Sequence, residues 1–313
     1  MVEDNQIKAE VSPFAIREGE IKVFDGKDGY VSMNQIIHKI NIGHITDIHF
    51  KILELVNEFE FITSRQLFQL LEYKGIEIKS QDKLNNKLEQ LVKTKILTRY
   101  YFNSEDGKGI YRIYCLEKMG KYLLNSKEIE CKWQPTDNTK PVPMIKKRLA
   151  GNQTIIAYLR KVKAMDGYTV KPVITAKQLN KNFKATGGSV KLTKNGKSIS
   201  FIFEVIRREE DWNKKLVEKM KLYKDFYENF QPMDSGYITM PQLIFVCEDD
   251  KHMIETFKTI IMNKLEISNL KLYFTTDLKQ NSDTLDESLS TFILDKEVNK
   301  YKMESIELKL LEM

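Results

Sequence analysis

The sequence predicts an α+β protein: an N-terminal winged helix-turn-helix followed by a mixed α/β domain. Three observations predict it. Between residues 46 and 116, three amphipathic helical stretches precede a two-stranded hairpin. Residues 133–143 then hold three of the seven prolines. Beyond them come a hairpin, a helix, a strand, a helix and a strand, in that order.

In the first stretch, Thr46 to Val56, residues Ile48, Ile52, Leu55 and Val56 fall on one helical face. The second opens at Thr63, an N-capping residue type, and carries Leu67, Leu70 and Leu71. The third follows Ser80 and aligns Leu84, Leu88, Leu91 and Val92. A β-rich run from Ile96 to Phe102 turns through 103–109 and returns as Ile110 to Leu116. Before these elements, Glu20 to Ser32 reads as a small hairpin around Asp25-Gly26, with a short helix near Met33 to Ile40. After them, Glu117 to Ser126 reads as another short helix.

Prolines bar helix continuation and remove strand donors, so 133–143 is expected to be an interdomain linker. The remaining boundaries follow: an N-terminal extension 1–45, the winged helix 46–132, the α/β domain 144–279 and a polar tail 280–313. In the α/β domain, Met144 to Met165 is helical, and Thr169 to Thr175, Ser189 to Thr193 and Ser198 to Ile206 are strand-like. Asn195-Gly196 between the last two is a strong hairpin signal. A helix at Asp211 to Phe230, a buried strand at Gln242 to Cys247, a helix at Lys251 to Leu265 and a strand at Leu270 to Thr275 complete it.

At 313 residues, 42% hydrophobic and 30% charged, the chain has the composition of an ordinary soluble protein. Its net charge of +6, from 50 basic against 44 acidic residues, permits nucleic-acid binding without demanding it. Cys115, Cys131 and Cys247 are far apart and odd in number, which gives neither a disulfide framework nor a zinc pattern. The N-terminal Met-Val-Glu-Asp-Asn-Gln is no signal peptide, and no segment approaches the roughly 20 apolar residues that span a bilayer. A cytoplasmic protein without membrane contact is expected.

The polar side of the third helix shows Gln81, Lys83, Asn85, Asn86 and Lys87. Asn and Gln pair bidentately with adenine edges, and Lys meets guanine or phosphate, so this face is the candidate DNA-reading surface. Arg99, Lys108 and Arg112 on the wing are candidate phosphate contacts. Lys146-Lys147-Arg148 reads as a solvated helix start. The histidines, His38, His44, His49 and His252, lack metal-ligand spacing, and no Walker loop or Gly-x-Ser-x-Gly elbow is present. No cofactor is expected.

Phe201-Ile-Phe-Glu-Val-Ile206 places one carboxylate, Glu204, inside an apolar strand, where a charge is costly unless paired. A hairpin strand ending in an acid and followed by a helix resembles the core of PD-(D/E)XK nucleases. There an Asp and a Glu-x-Lys hold a divalent metal that activates water. This sequence has no Asp in Ala185 to Leu192, and Ile206 stands in the lysine position, followed by Arg207 and Arg208. Glu204 is therefore a weak catalytic candidate, and an ion pair with the basic run Lys214, Lys215, Lys219 is the expected fate of its charge.

Taken with the winged helix, the run Lys147 to Leu159, Phe203-Glu204 and its Arg-Arg-Glu-Glu sequel, Lys215 to Tyr223, and Leu243 to Val246 resemble the replication-relaxation family over roughly residues 46–276. The resemblance implies a protein of plasmids and other mobile elements, associated with replication and with DNA relaxation and mobilisation. The α/β domain would then be a nuclease-like scaffold with an incomplete site. The expected partners are double-stranded DNA, a replication or relaxase protein, and a second copy of the chain. A metal-dependent nuclease and a transcriptional regulator of its own operon are the alternatives.

Overall fold

Ser32, Thr63 and Ser80 each stand just before an apolar-periodic run, and in the computed structural model each caps a helix. Their hydroxyls accept from the N–H groups of Gln35, Gln66 and Lys83, three residues on. Residues 11–105, 111–268, 270–281, 285, 287–295 and 300–306 are described, and they fall into two units. One is Ile16–Arg160; the other joins residues 11–15 to those from Lys161 onward.

The first unit runs β1 (Ile21–Phe24), α1 (Met33–Asn41), α2 (Asp47–Phe59), β2 (Ile62–Thr63), α3 (Ser64–Tyr73), α4 (Gln81–Lys93), β3 (Leu97–Asn103), β4 (Arg112–Leu116), α5 (Lys118–Ser126) and α6 (Val142–Lys161). From α2 to β4 this is the winged helix-turn-helix expected from the sequence. Its sheet has the order β1-β3-β4-β2, antiparallel throughout. The core gathers Ile52, Val56 and Phe59 of α2, Leu67 and Leu70 of α3, and Leu84, Leu88 and Leu91 of α4.

Three expectations are corrected in this unit. The hairpin around Asp25-Gly26 does not form, because β1 pairs with β3 and makes the N-terminal extension part of the wing sheet. Residues 133–143 are not a linker. Pro135 opens a 3-10 turn over Pro135–Thr139, and Pro143 sits in the first turn of α6, positions where a missing N–H costs nothing. Buried Asn138 donates to Leu116 O at 2.8 Å, and Lys22 Nζ donates to Asn138 O at 2.7 Å and Lys140 O at 3.0 Å. Nor is Lys146 solvated: it is buried, 2.5 Å from Glu20 and over the Phe102 ring.

The second unit contains β5 (Met165–Thr169), β6 (Val173–Ala176), β7 (Lys181–Lys184), β8 (Ser189–Lys194), β9 (Lys197–Val205), α7 (Trp212–Glu228), β10 (Gln242–Cys247), α8 (Asp250–Met262), β11 (Tyr273–Thr276), α9 (Asp277–Asn281), β12 (Leu289–Asp295) and β13 (Lys300–Ile306). The seven-stranded sheet has the order β13-β12-β11-β10-β9-β8-β5. Strands β5, β8 and β9 form an antiparallel meander, while β9, β10 and β11 are parallel and joined through α7 and α8. Strand β6 pairs with β7 as a separate hairpin. The single strand expected over 169–175 splits at Pro172, which has no donor for a ladder. The tail expected to be polar and patchy supplies β12 and β13.

Leu216, Met220 and Phe226 of α7 and Met253, Phe257 and Ile260 of α8 pack with Ile202, Leu243, Phe245 and Phe274 of the sheet. Fully buried Arg207 grips Asp277 with two bonds of 2.8 Å, and the Ser12 hydroxyl bonds to the same carboxylate.

Buried Asn152 of α6 donates to Phe59 O at 3.1 Å and Phe61 O at 2.7 Å, fixing the α2–β2 connection. Asn152→Ala is expected to lower stability by about 1–3 kcal/mol, seen as a lower urea midpoint. A wild-type midpoint would show that these bonds contribute nothing.

Candidate nucleic-acid interface

Helix α4 has two unlike halves. Leu84, Leu88, Leu91 and Val92 are buried, and that stripe turns Lys83, Asn85 and Asn86 fully outward. Gln81 and Lys87 flank them, half-buried, with Gln81 Nε2 donating to Asn85 Oδ1 at 3.3 Å. Of the five helix residues singled out in the sequence, Lys83, Asn85 and Asn86 form the exposed part, together with Asp82, while Gln81 and Lys87 lie at its borders with the buried stripe. Gln90 and Lys93 are exposed on the same helix and extend its polar surface.

Two side chains from neighbouring elements hold the helix. Buried His49 accepts from the Thr46 N–H through Nδ1 at 3.0 Å, and its Nε2 meets Gln90 Oε1 at 2.9 Å. With Nδ1 accepting, Nε2 carries the proton and donates to Gln90. Arg99 is the second, and here the expected phosphate contact is corrected. It is 8% exposed, its Nη1 lies 2.6 Å from Glu89 of α4, and its Nε lies 2.8 Å from Asp25. The bond from Arg99 holds the Glu89 carboxyl below its usual range. Arg99 thus ties α4 to the wing sheet and to the turn after β1. Its role was hidden because Asp25 is 74 residues away in sequence.

Arg112 remains outward, its side chain 60% exposed, with Nε 3.1 Å from Asp25. Lys108 lies outside the described residues.

Glu204 sits near the end of β9, 3% exposed. The Thr186 hydroxyl donates to Oε1 at 2.9 Å, the Thr186 N–H to Oε2 at 3.3 Å, and the Tyr223 hydroxyl to Oε2 at 2.7 Å. Lys219 is 3.6 Å away. Of the three lysines expected to neutralise Glu204, only Lys219 does so: Lys214 pairs with Asp211 and Lys215 with Glu209. Gly187 makes the arrangement possible. A Cβ there would lie 2.7 Å from Phe203 Cβ, so only glycine lets this loop lie flat on β9 and deliver Thr186.

Thr186 therefore stands directly against the strand-end acid. Buried beside that acid, Tyr223 has its pKa pushed well above 10 and stays a hydrogen-bond donor. A divalent ion needs several oxygen ligands with free lone pairs. The donors that surround Glu204 are hydroxyl, amide and ammonium groups, and these do not fit a cation. Among the described residues, no group of three or more His, Cys, Asp or Glu is placed to hold a metal. His252 does not alter this: burial pushes its pKa to about 3, and Nδ1 accepts from the Glu248 N–H.

Burial lowers the pKa of His49, opposed by the Gln90 bond and aided by nearby Lys87. A histidine whose folded pKa is depressed binds fewer protons folded than unfolded, so its contribution is present above about pH 6.5 and is lost as pH falls below it. Wild type is expected to lose stability between pH 7 and 5, by at most about 1.4 kcal/mol per pH unit from this group. His49→Gln, which keeps an acceptor for the cap, should flatten that slope in urea titrations. Equal slopes would remove His49 from the account. Wild type and Glu204→Gln are both expected to leave DNA uncut in Mg²⁺ or Mn²⁺; cleavage by wild type that the variant lacks would overturn the structural role of this carboxylate.

No curated relative matches the sequence. The solved structure of the restriction endonuclease FokI aligns with 74% of this chain at 10% identity and a TM-score of 0.27, and the chain covers 42% of that enzyme. Residues 53–239 match the replication-relaxation family, which takes in α2 to α6 and the sheet through α7. The chain belongs to the replication-relaxation family.

Proposed function

We propose that this protein binds double-stranded DNA through α4 and the wing, as an accessory factor of a plasmid or other mobile element acting in replication, or in relaxation and mobilisation. The observation that carries the reading is the outward set Lys83, Asn85 and Asn86 on a helix whose rotation is held by His49 and Arg99. A polar helix face presented beside a two-stranded wing suits a major groove, where amide side chains read adenine and lysine meets guanine or phosphate. Family membership supports the setting.

The α/β unit, on this reading, contributes by what it touches rather than by cutting. Glu204 is saturated by Thr186, Tyr223 and Lys219, so the nuclease alternative has no second ligand to build on. A replication or relaxase protein and a second copy of the chain are the partners proposed for it. Residues that read DNA for a transcriptional regulator would be the same ones, so the target sequence decides between that role and the accessory one.

The triple variant Lys83→Ala/Asn86→Ala/Lys87→Ala is expected to weaken duplex affinity at least about tenfold, with a shallower salt dependence, in anisotropy titrations against DNA fragments recovered on the purified protein. Lys83 and Asn86 are exposed and Lys87 is half-buried, so the fold should persist with a urea midpoint close to wild type. Unchanged affinity in a folded triple variant would refute recognition by α4.

A further inference from the structure

Helix α1 carries more apolar surface than its own unit buries. Ile36 is fully buried, while Met33, Ile37 and Ile40 fall at i, i+4 and i+7 on an adjoining stripe. That stripe stops short of the core: Ile37 is exposed, and Met33 and Ile40 are half-buried. It forms one wall of a groove of about 580 Å³ that is also lined by Phe50 of α2 and by Tyr122 and Leu123 of α5. Ile37 and Tyr122 are each 45% exposed, so the groove opens to solvent. On its other side α1 borders a second hollow, lined by Tyr30, Asn34, His38 and Ile42. The helix therefore stands as a ridge between two depressions.

The charges on the groove select its occupant. The lining holds one acid and one base, Asp47 in the first turn of α2 and Lys127 just after α5. Both are exposed, and neither has an ion pair among the described residues. The Lys127 ammonium instead lies 5.2 Å from the centre of the Phe50 ring, which keeps it at the groove. A lining with one charge of each sign favours neither an acidic nor a basic partner. It is complementary to itself, because a two-fold rotation can set each Asp47 against Lys127 of a second copy.

We propose that two copies of the chain associate through this groove, the α1 ridge of each lying in the groove of the other. Ridges into grooves is how helices pack, and the two-fold repeats every apolar contact and both ion pairs. One groove per copy is a modest interface, so dimer and monomer are expected to exchange at about 1–100 µM. The contact uses α1, α5 and the start of α2, and leaves the outward side of α4 open. Where α4 reads DNA, two copies about a two-fold axis read an inverted repeat. That consequence rests on the proposed DNA reading, and the dimer itself does not.

The test is sedimentation equilibrium of the full-length protein, without DNA, at about 1–100 µM. Wild type is expected to approach the dimer mass at the upper end. Ile37→Glu/Tyr122→Glu should weaken association at least about tenfold while remaining folded, because both side chains are exposed. Charge reversal supplies the arm that a folding defect cannot imitate. Asp47→Lys alone and Lys127→Asp alone should each weaken association about tenfold by setting like charges together. An equal mixture of the two variants should restore it, since every reversed charge then meets its opposite. Wild type that is monomeric at about 100 µM overturns the proposal, and assigns the groove to an apolar small ligand or a different protein. A dimer that Ile37→Glu/Tyr122→Glu leaves intact overturns it too, as do reversal variants that mixing fails to rescue. No DNA is present, so a failure here leaves the α4 reading standing, and a failure of the α4 triple variant leaves the dimer standing.

Discussion

The rotation of α4 about its own axis is the constraint on which the winged helix depends. Leu84, Leu88, Leu91 and Val92 set it roughly by their burial. Burial alone tolerates small rotations, because apolar contact is not directional. Two directional contacts narrow it: His49 to Gln90 at 2.9 Å and Arg99 to Glu89 at 2.6 Å, reaching the helix from α2 and from the wing sheet. Together they decide which side chains face water. They also explain why a wing arginine that looked free for phosphate is committed elsewhere, with Asp25 taking its second edge.

The α/β unit shows the complementary case, a charge in an apolar strand that is settled internally. Glu204 takes three hydrogen bonds and a nearby ammonium, which together compensate the loss of water around a buried carboxylate. The same partners use the lone pairs that a metal would need. The order of meander, helix and parallel strand expected of a nuclease-like core is present in β5, β8, β9, α7 and β10. Its acid, Glu204, is bonded to Thr186 and Tyr223, and Ile206 stands two residues on. The sheet is held by buried Phe201, Phe203 and Val205, whatever stands at the strand ends.

Much of this was legible because it rests on local signals. Helical periodicity marked α2, α3 and α4, Asn195-Gly196 marked the β8–β9 turn, and the unbroken apolar run marked β10. What was not legible depends on contacts distant in sequence. Strand β1 is too short to declare itself and is fixed by pairing with β3, some 80 residues later. The prolines at 135 and 143 signal a break, yet proline also suits a first helical turn, and only the surrounding bonds to Asn138 and Lys22 decide which. Lys146 looks solvated until Glu20 is brought to it. On α4, by contrast, the exposed residues could be read directly, since a helix with one apolar stripe must turn its other side to solvent.

The most direct test of the account is site-specific photo-crosslinking from the outward face of α4. A benzophenone side chain in place of Asn86 is predicted to crosslink duplex DNA in the full-length protein, and the same group in place of the exposed Tyr122 of α5 is predicted not to. Crosslinking from Tyr122 without any from Asn86 would contradict the assignment of α4 as the DNA-facing element.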